Sequence, residues 1–255
     1  MSEYDPHLTI EGNGPALVLV PGMNGGGQLF YRQVPRLTTG YRVATYSLRD
    51  DAENLEVLAA DLRAIVDQVA SAQGRAIIVG ESFGGAVALT FALAYPERVD
   101  ALVILNSFPH FAPQRRLTLA LMGLALLPWG AMRLIRRVTA WRLHSAHTHR
   151  AEVRRFIELT ADATRAGYLN RLQLLRHYDV RSQLGRLEPP ALFLAAEDDH
   201  LVPAVAQARY MAERAPRSAL RILEGHGHIC LIAPDLDLSA IIDQWRAGAP
   251  VSDAT

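Results

Sequence analysis

Short runs of uninterrupted apolar residues recur along the chain: ALVLV (16–20), RVATYSL (42–48), RAIIVG (75–80), ALVILN (101–106) and ALFLAA (191–196). None shows regular polar alternation, as expected of strands covered on both faces in a parallel sheet. Helical spacing fills the intervals. In LEVLAADLRAIVDQVA (55–70), Leu55, Leu58, Leu62, Ile65, Val66 and Val69 make one apolar stripe at spacings of three and four. AVALTFALAYPE (86–97) and PAVAQARYMAER (203–214) predict two more helices, and SALRILE (218–224) a last strand. Such alternation argues an α/β fold with a mostly parallel sheet flanked by helices. LTI (8–10) with EGNGP (11–15) predicts a hairpin entry to that sheet.

The alternation stops between about Ser107 and Pro189. Val153, Phe156, Ile157 and Thr160 fit one helix face there, and Tyr168, Leu172 and Leu175 another. The expected organisation is a core made of residues 1–107 and 188–255, with a helical cap or lid, 108–187, inserted over the end of the sheet. Within it, LTLALMGLALLPWGAM (117–132) carries no charge over sixteen residues. A membrane-spanning helix needs about twenty, and Gly123, Pro128 and Gly130 interrupt this run. Two buried cap helices broken at Pro128 are the expectation.

Charge changes the picture of the insertion. The formal net charge is zero, yet residues 113–187 hold fourteen Arg against four acids, and the remainder twelve Arg against twenty-two. Every basic residue is Arg. This surplus suits anionic ligands or peripheral contact with an anionic membrane surface. Cys230 is the only cysteine, so no intrachain disulfide can form. MSEYDPHLTI lacks the basic start and apolar run of a signal peptide, so a cytoplasmic enzyme is expected. GMNGGG (22–27) lacks the Lys-Ser/Thr of a nucleotide-binding loop, and no basic stretch interleaved with aromatics suggests nucleic acid.

The candidate chemistry centres on IIVGESFGGAVAL (77–89), where Ser82 stands between glycines at a strand-to-helix junction. A serine there can be a nucleophile on a tight bend, exposed at a helix N-terminus. It needs a base and a group that orients the base. Of nine histidines, His226 and His228 lie on the Gly-broken loop after the last predicted strand. Asp198 and Asp199 follow the strand 191–196, at a carboxyl end where ligand-facing loops of such sheets lie. Asn106, at the end of the preceding strand, is not an acid. The cluster HSAHTH (144–149) has no acid or cysteine nearby in the sequence, so neither metal nor cofactor is expected.

From about Ala16 to Trp245 the chain resembles the α/β-hydrolase superfamily in its single-cap branch. The resemblance is carried by VPGMNGGG (20–27), GESFGG (80–85), DVRSQLGRLEPP (179–190), the acid turn from Ala196 to Pro203, and GHICLIAPD (227–235). It implies a Ser82–His228–Asp199 triad, selecting Asp199 over Asp198 and His228 over His226. It also implies an oxyanion hole made by the backbone amides of Met23 and Phe83. Serine at 82 rather than aspartate speaks against epoxide hydrolase and dehalogenase chemistry. The implied activity is a serine esterase acting on small or lipid-like acyl esters without a cofactor. Thioesterases, lactonases and carbon–carbon bond hydrolases share the triad, and a non-catalytic binding relative is the alternative of another class. Two stretches depart from the family pattern: Pro21 stands where a histidine usually braces the oxyanion loop, and SLRDDAEN (47–54) replaces a glycine-rich turn.

Overall fold

The computed structural model describes residues 6–70, 74–111, 138, 142–161 and 163–248. Its strands are β1 (Thr9–Glu11), β2 (Ala16–Val20), β3 (Arg42–Thr45), β4 (Ala76–Glu81), β5 (Val99–Leu105), β6 (Ala191–Ala196) and β7 (Ser218–Leu223). Its α-helices are α1 (Val34–Leu37), α2 (Leu55–Val69), α3 (Phe83–Ala94), α4 (Arg150–Leu159), α5 (Arg165–Leu174), α6 (Ala204–Ala212) and α7 (Leu238–Arg246). The strands form one sheet in the order β1-β3-β2-β4-β5-β6-β7. All neighbours run parallel except β1 and β3.

The uninterrupted apolar runs follow from burial on both faces. Val18, Ile78, Leu102 and Phe193 point to one side, packed with α2, α3 and α6. Leu17, Ile77, Val103 and Leu192 point to the other, packed with residues of α1 and α7. Each successive residue thus meets a different helix layer, so no position can be polar without a partner. The stripe on α2 is buried throughout, and the Asn54 side chain caps the helix by accepting from Val57 N–H.

The hairpin expected at the N-terminus does not form. β1 pairs antiparallel with β3, Thr9 opposite Thr45 and Glu11 opposite Val43. β2 has parallel partners on both sides, β3 and β4, and so offers no free edge to the chain that precedes it. β1 therefore takes the outer edge of β3.

Between β5 and β6 the described residues include α4 and α5 and no strand of the sheet. Val153 on α4 and Leu172 on α5 are buried as the spacing suggested. The apolar run 117–132 lies outside the described residues. Among the described residues no helix is long and apolar enough to cross a membrane.

α3 lies close against the sheet because its first turn is glycine. A Cβ on Gly84 would run into the Val20 and Pro21 carbonyls, and one on Gly80 into the Gly84 carbonyl and Ala88. These obstacles are mostly backbone and cannot rotate away. Gly84→Ala is expected to cost about 1–3 kcal/mol, read as a lower urea midpoint at unchanged slope, with the bend at Ser82 displaced.

Candidate active site

Ser82 occupies the junction of β4 and α3 with φ 52° and ψ −118°, left-handed backbone that a non-glycine residue adopts at a cost of order 1–3 kcal/mol. Its own peptide groups hold it there. Ser82 N–H donates to the Leu105 carbonyl at 2.9 Å, and its carbonyl accepts from Gly85 N–H at 3.0 Å and from Ser107 Oγ at 2.6 Å. The bend therefore depends on β5 as much as on its own glycines.

Asp199 follows β6 in a tight side-chain-to-backbone turn. Its Oδ1 accepts from the amides of Leu201 at 2.8 Å and Val202 at 2.9 Å, which leaves Oδ2 directed at His228 Nδ1, 2.7 Å away. Asp198, by contrast, is exposed. On its other edge the imidazole places Nε2 3.1 Å from Ser82 Oγ. His226 does not reach this point; its Nδ1 lies 3.0 Å from Ser145 Oγ. The structure thus brings together Ser82, His228 and Asp199, from three strand ends separated by 29 and 146 positions of sequence.

His228 sits in irregular chain, held in part by three contacts. Ile229 N–H donates to the Leu143 carbonyl at 2.7 Å, and Gly227 N–H to Ser145 Oγ at 3.2 Å, fastening the loop to residues 143–145. The third contact is Asn106. Its Nδ2 donates to the His228 carbonyl at 2.9 Å, while its Oδ1 accepts from Ala196 N–H at 2.7 Å. Asn106 also has positive φ, 48°, a conformation asparagine tolerates better than most residues. At the sequence level it counted only as a missing acid. It couples the ends of β5 and β6 to the histidine loop.

Two carboxylates face the same imidazole. Burial alone would lower the His228 pKa, but the Asp199 hydrogen bond and charge, with the charge of Glu81, raise it above the ordinary histidine value. Glu81 Oε1 stands 3.8 Å from His228 Nε2, too far for a hydrogen bond, and the carboxylate packs against Gly22. Burial pushes Glu81 up to about 7, partly offset by His228. The sequence carried a signal for it: Glu81 is the only charged residue in the fully buried run of β4.

Met23 lines the space beside Ser82, and Phe83 opens α3, where the first amides of a helix lack an intrahelical acceptor. The loop that carries Met23 is held from the β5–β6 insertion. Arg171 on α5, fully buried, donates to the Met23 and Leu48 carbonyls at 3.3 Å each and to Asp50 Oδ1 at 2.7 Å. It lies against Gly25, whose φ of 79° suits glycine, and Leu48 N–H closes the loop on the Gly25 carbonyl at 2.7 Å. The divergent stretch 47–54 thus supplies the partners of a buried arginine beside the loop that Pro21 begins. No spacing rule connects position 171 to position 23.

The cavity over Ser82 has a volume of about 110 Å³ among the described residues. Its walls are mostly apolar: Leu29, Leu143, Phe156, Tyr168, Ile229 and Leu231 take part, with Glu81, Ser82 and His228 as the polar end.

A family model described as the alpha/beta hydrolase fold matches residues 15–233. The chain is similar to the pimeloyl-[acyl-carrier protein] methyl ester esterase of Xanthomonas campestris, 32% identical, covering 96% of this chain and all of that protein. It is also similar to the RutD protein of Cronobacter sakazakii, provisionally named a carbamate hydrolase, at 29% identity over 85% of this chain and 84% of that one. Among solved structures, a thermophilic esterase from Thermogutta terrifontis superposes with TM-score 0.80 at 21% identity, covering 95% of this chain and 93% of that one.

Two outcomes follow from this geometry. The folded chain keeps the Glu81 proton up to about pH 7, whereas an unfolded chain releases it near 4.5. Glu81 therefore subtracts stability as pH rises through that window, by about 3 kcal/mol at its upper end. Glu81→Gln should match the parent at pH 4.5 and exceed it increasingly up to pH 7.5 in paired urea titrations. Arg171→Met should lose about 2 kcal/mol through its broken hydrogen bonds. Because Arg171 holds the Met23 carbonyl, kcat should fall more than KM rises in any turnover assay.

Proposed function

The chain belongs to the α/β-hydrolase fold family, and from that premise we propose that it is a serine hydrolase of carboxylic esters. The observation that carries this reading is the pair of distances at His228, 3.1 Å to Ser82 Oγ and 2.7 Å to Asp199 Oδ2. They lie in the range for a nucleophile, its base and the group that orients the base.

In this mechanism Ser82 Oγ attacks the acyl carbon while His228 Nε2 takes its proton. Asp199 keeps Nδ1–H on the far side of the ring and stabilises the imidazolium. The tetrahedral oxyanion is received by the amides of Met23 and Phe83, each worth on the order of 3 kcal/mol of barrier. Collapse expels the alcohol, protonated by His228, and leaves an acyl ester on Ser82. Water, deprotonated by the same nitrogen, attacks that ester and releases the acid.

Residues 108–187 are the cap in this reading. Leu143, Phe156, Thr160 and Tyr168 from that stretch stand over Ser82 and would contact the acyl group. The small apolar cavity supports short acyl esters, and the similarity to a methyl ester esterase supports a small alcohol leaving group. Its arginine surplus would draw anionic substrates toward the opening. We place the reaction in the cytoplasm, a site consistent with the single, buried cysteine.

A fluorophosphonate probe should add one adduct, on Ser82. A p-nitrophenyl ester series should be cleaved fastest at short acyl length. Ser82→Ala should remove at least about 10⁴-fold of kcat, and Asp199→Asn about 10³–10⁴-fold. Absence of the adduct together with turnover that survives Ser82→Ala would refute the assignment. A matching carbamate series, faster than the esters, would redirect the substrate class and leave the nucleophile in place.

A further inference from the structure

A second cluster of chemically competent side chains lies on the outer side of the histidine loop. His147, His226 and Asp235 each offer a ligand atom, and these atoms lie within 4.8 Å of one another. His147 Nε2 is 2.7 Å from Asp235 Oδ1, and His226 Nε2 is 3.7 Å from Asp235 Oδ2. The two imidazole rings meet nearly edge to face at a centroid distance of 4.9 Å. In the sequence, HSAHTH lacked an acidic partner; the fold brings one from 88 positions away.

We propose that this cluster is a binding site for a divalent transition-metal ion of the zinc type. Two imidazole nitrogens and one carboxylate oxygen are a donor set that borderline cations prefer over magnesium or calcium. The most buried ligand, His226, is oriented from behind. Its Nδ1 lies 3.0 Å from Ser145 Oγ, and the same oxygen accepts Gly227 N–H. In the tautomer whose Nδ1–H donates to that oxygen, Nε2 keeps its lone pair for a cation, the arrangement typical of metal-bound histidine. His147 and Asp235 are partly exposed, so an ion enters from solvent and a fourth position stays open to water.

The placement gives the ion a structural consequence. His147 belongs to the stretch leading into α4, whereas His226 and Asp235 flank His228 on its loop. The His226 carbonyl also accepts from Asp198 N–H at 2.9 Å, beside the Asp199 turn. A bound ion would therefore fasten the start of α4 to the loop that carries His228. This site does not depend on the reaction proposed above.

Zinc chloride titrated calorimetrically into the untagged full chain at pH 7.5 should bind one ion per chain and raise the melting temperature. His147→Ala and Asp235→Asn, both at exposed positions, should each weaken binding at least tenfold and abolish the thermal shift. Ser145→Ala should weaken it by a smaller factor, and His228→Gln should leave it unchanged. Cobalt should give the visible absorption of a four-coordinate nitrogen and oxygen site in the parent and lose it in His147→Ala. No saturable binding, binding retained in both exposed variants, or binding lost in His228→Gln alone would overturn the proposal.

Discussion

One imidazole, that of His228, spans the ends of two strands that share no local sequence, and much of the surrounding chain serves to keep it there. The loop that carries it belongs to no helix or strand and has only turn hydrogen bonds of its own, such as Ala233 N–H to the Cys230 carbonyl. Asn106 supplies the missing order by holding the His228 carbonyl with one end of its amide and Ala196 N–H with the other. Residues 143–145 hold the opposite side. The serine is constrained separately, in a left-handed backbone held by its hydrogen bonds to Leu105, Gly85 and Ser107 and by the close packing of α3 at Gly84. The short distances at His228 are thus the result of several distant restraints meeting at one point.

The electrostatics of the site divide two carboxylates by how well each is solvated. Asp199 accepts two backbone amides and the imidazole, so its buried oxygens are satisfied. Glu81 shares the same ring at longer range, and burial alone dominates its behaviour. A buried acid of that kind opposes folding above its unfolded pKa, and proteins tolerate such groups where function needs them. When ionised, Glu81 also adds to the negative field around His228 and so raises the imidazole's pKa.

The insertion between β5 and β6 reaches the site in two ways. Apolar residues of α4 and α5 stand over Ser82, and Arg171 reaches below them to the loop of Met23. That arginine also resolves what Pro21 left open. A loop rich in glycine, with no histidine at its base, is tied to the insertion and to the 48–50 stretch. Part of the apolar wall beside Ser82 and the support of the Met23 loop therefore come from the same two helices, α4 and α5.

The fold was legible because two-sided burial leaves a local trace. β2 and β6 coincide with apolar runs read from the chain, and the α2 stripe is buried residue for residue. The serine bend was legible because its glycines flank it in the chain, although the neighbours that require Gly84, the Val20 and Pro21 carbonyls, are remote in sequence. Local pattern failed where the partner was remote. It paired β1 with the wrong strand because edge availability is a property of the assembled sheet. It passed over Arg171 and Asn106, whose hydrogen bonds to Met23, Ala196 and His228 cross 90 to 148 positions, and found no acid for His147. The sequence by itself determined most strands and helices of the core, because burial on one face or on both leaves its trace within a few positions of the chain. Only the tertiary structure decided which polar groups meet, because a buried hydrogen bond depends on distance in space and is indifferent to distance along the chain.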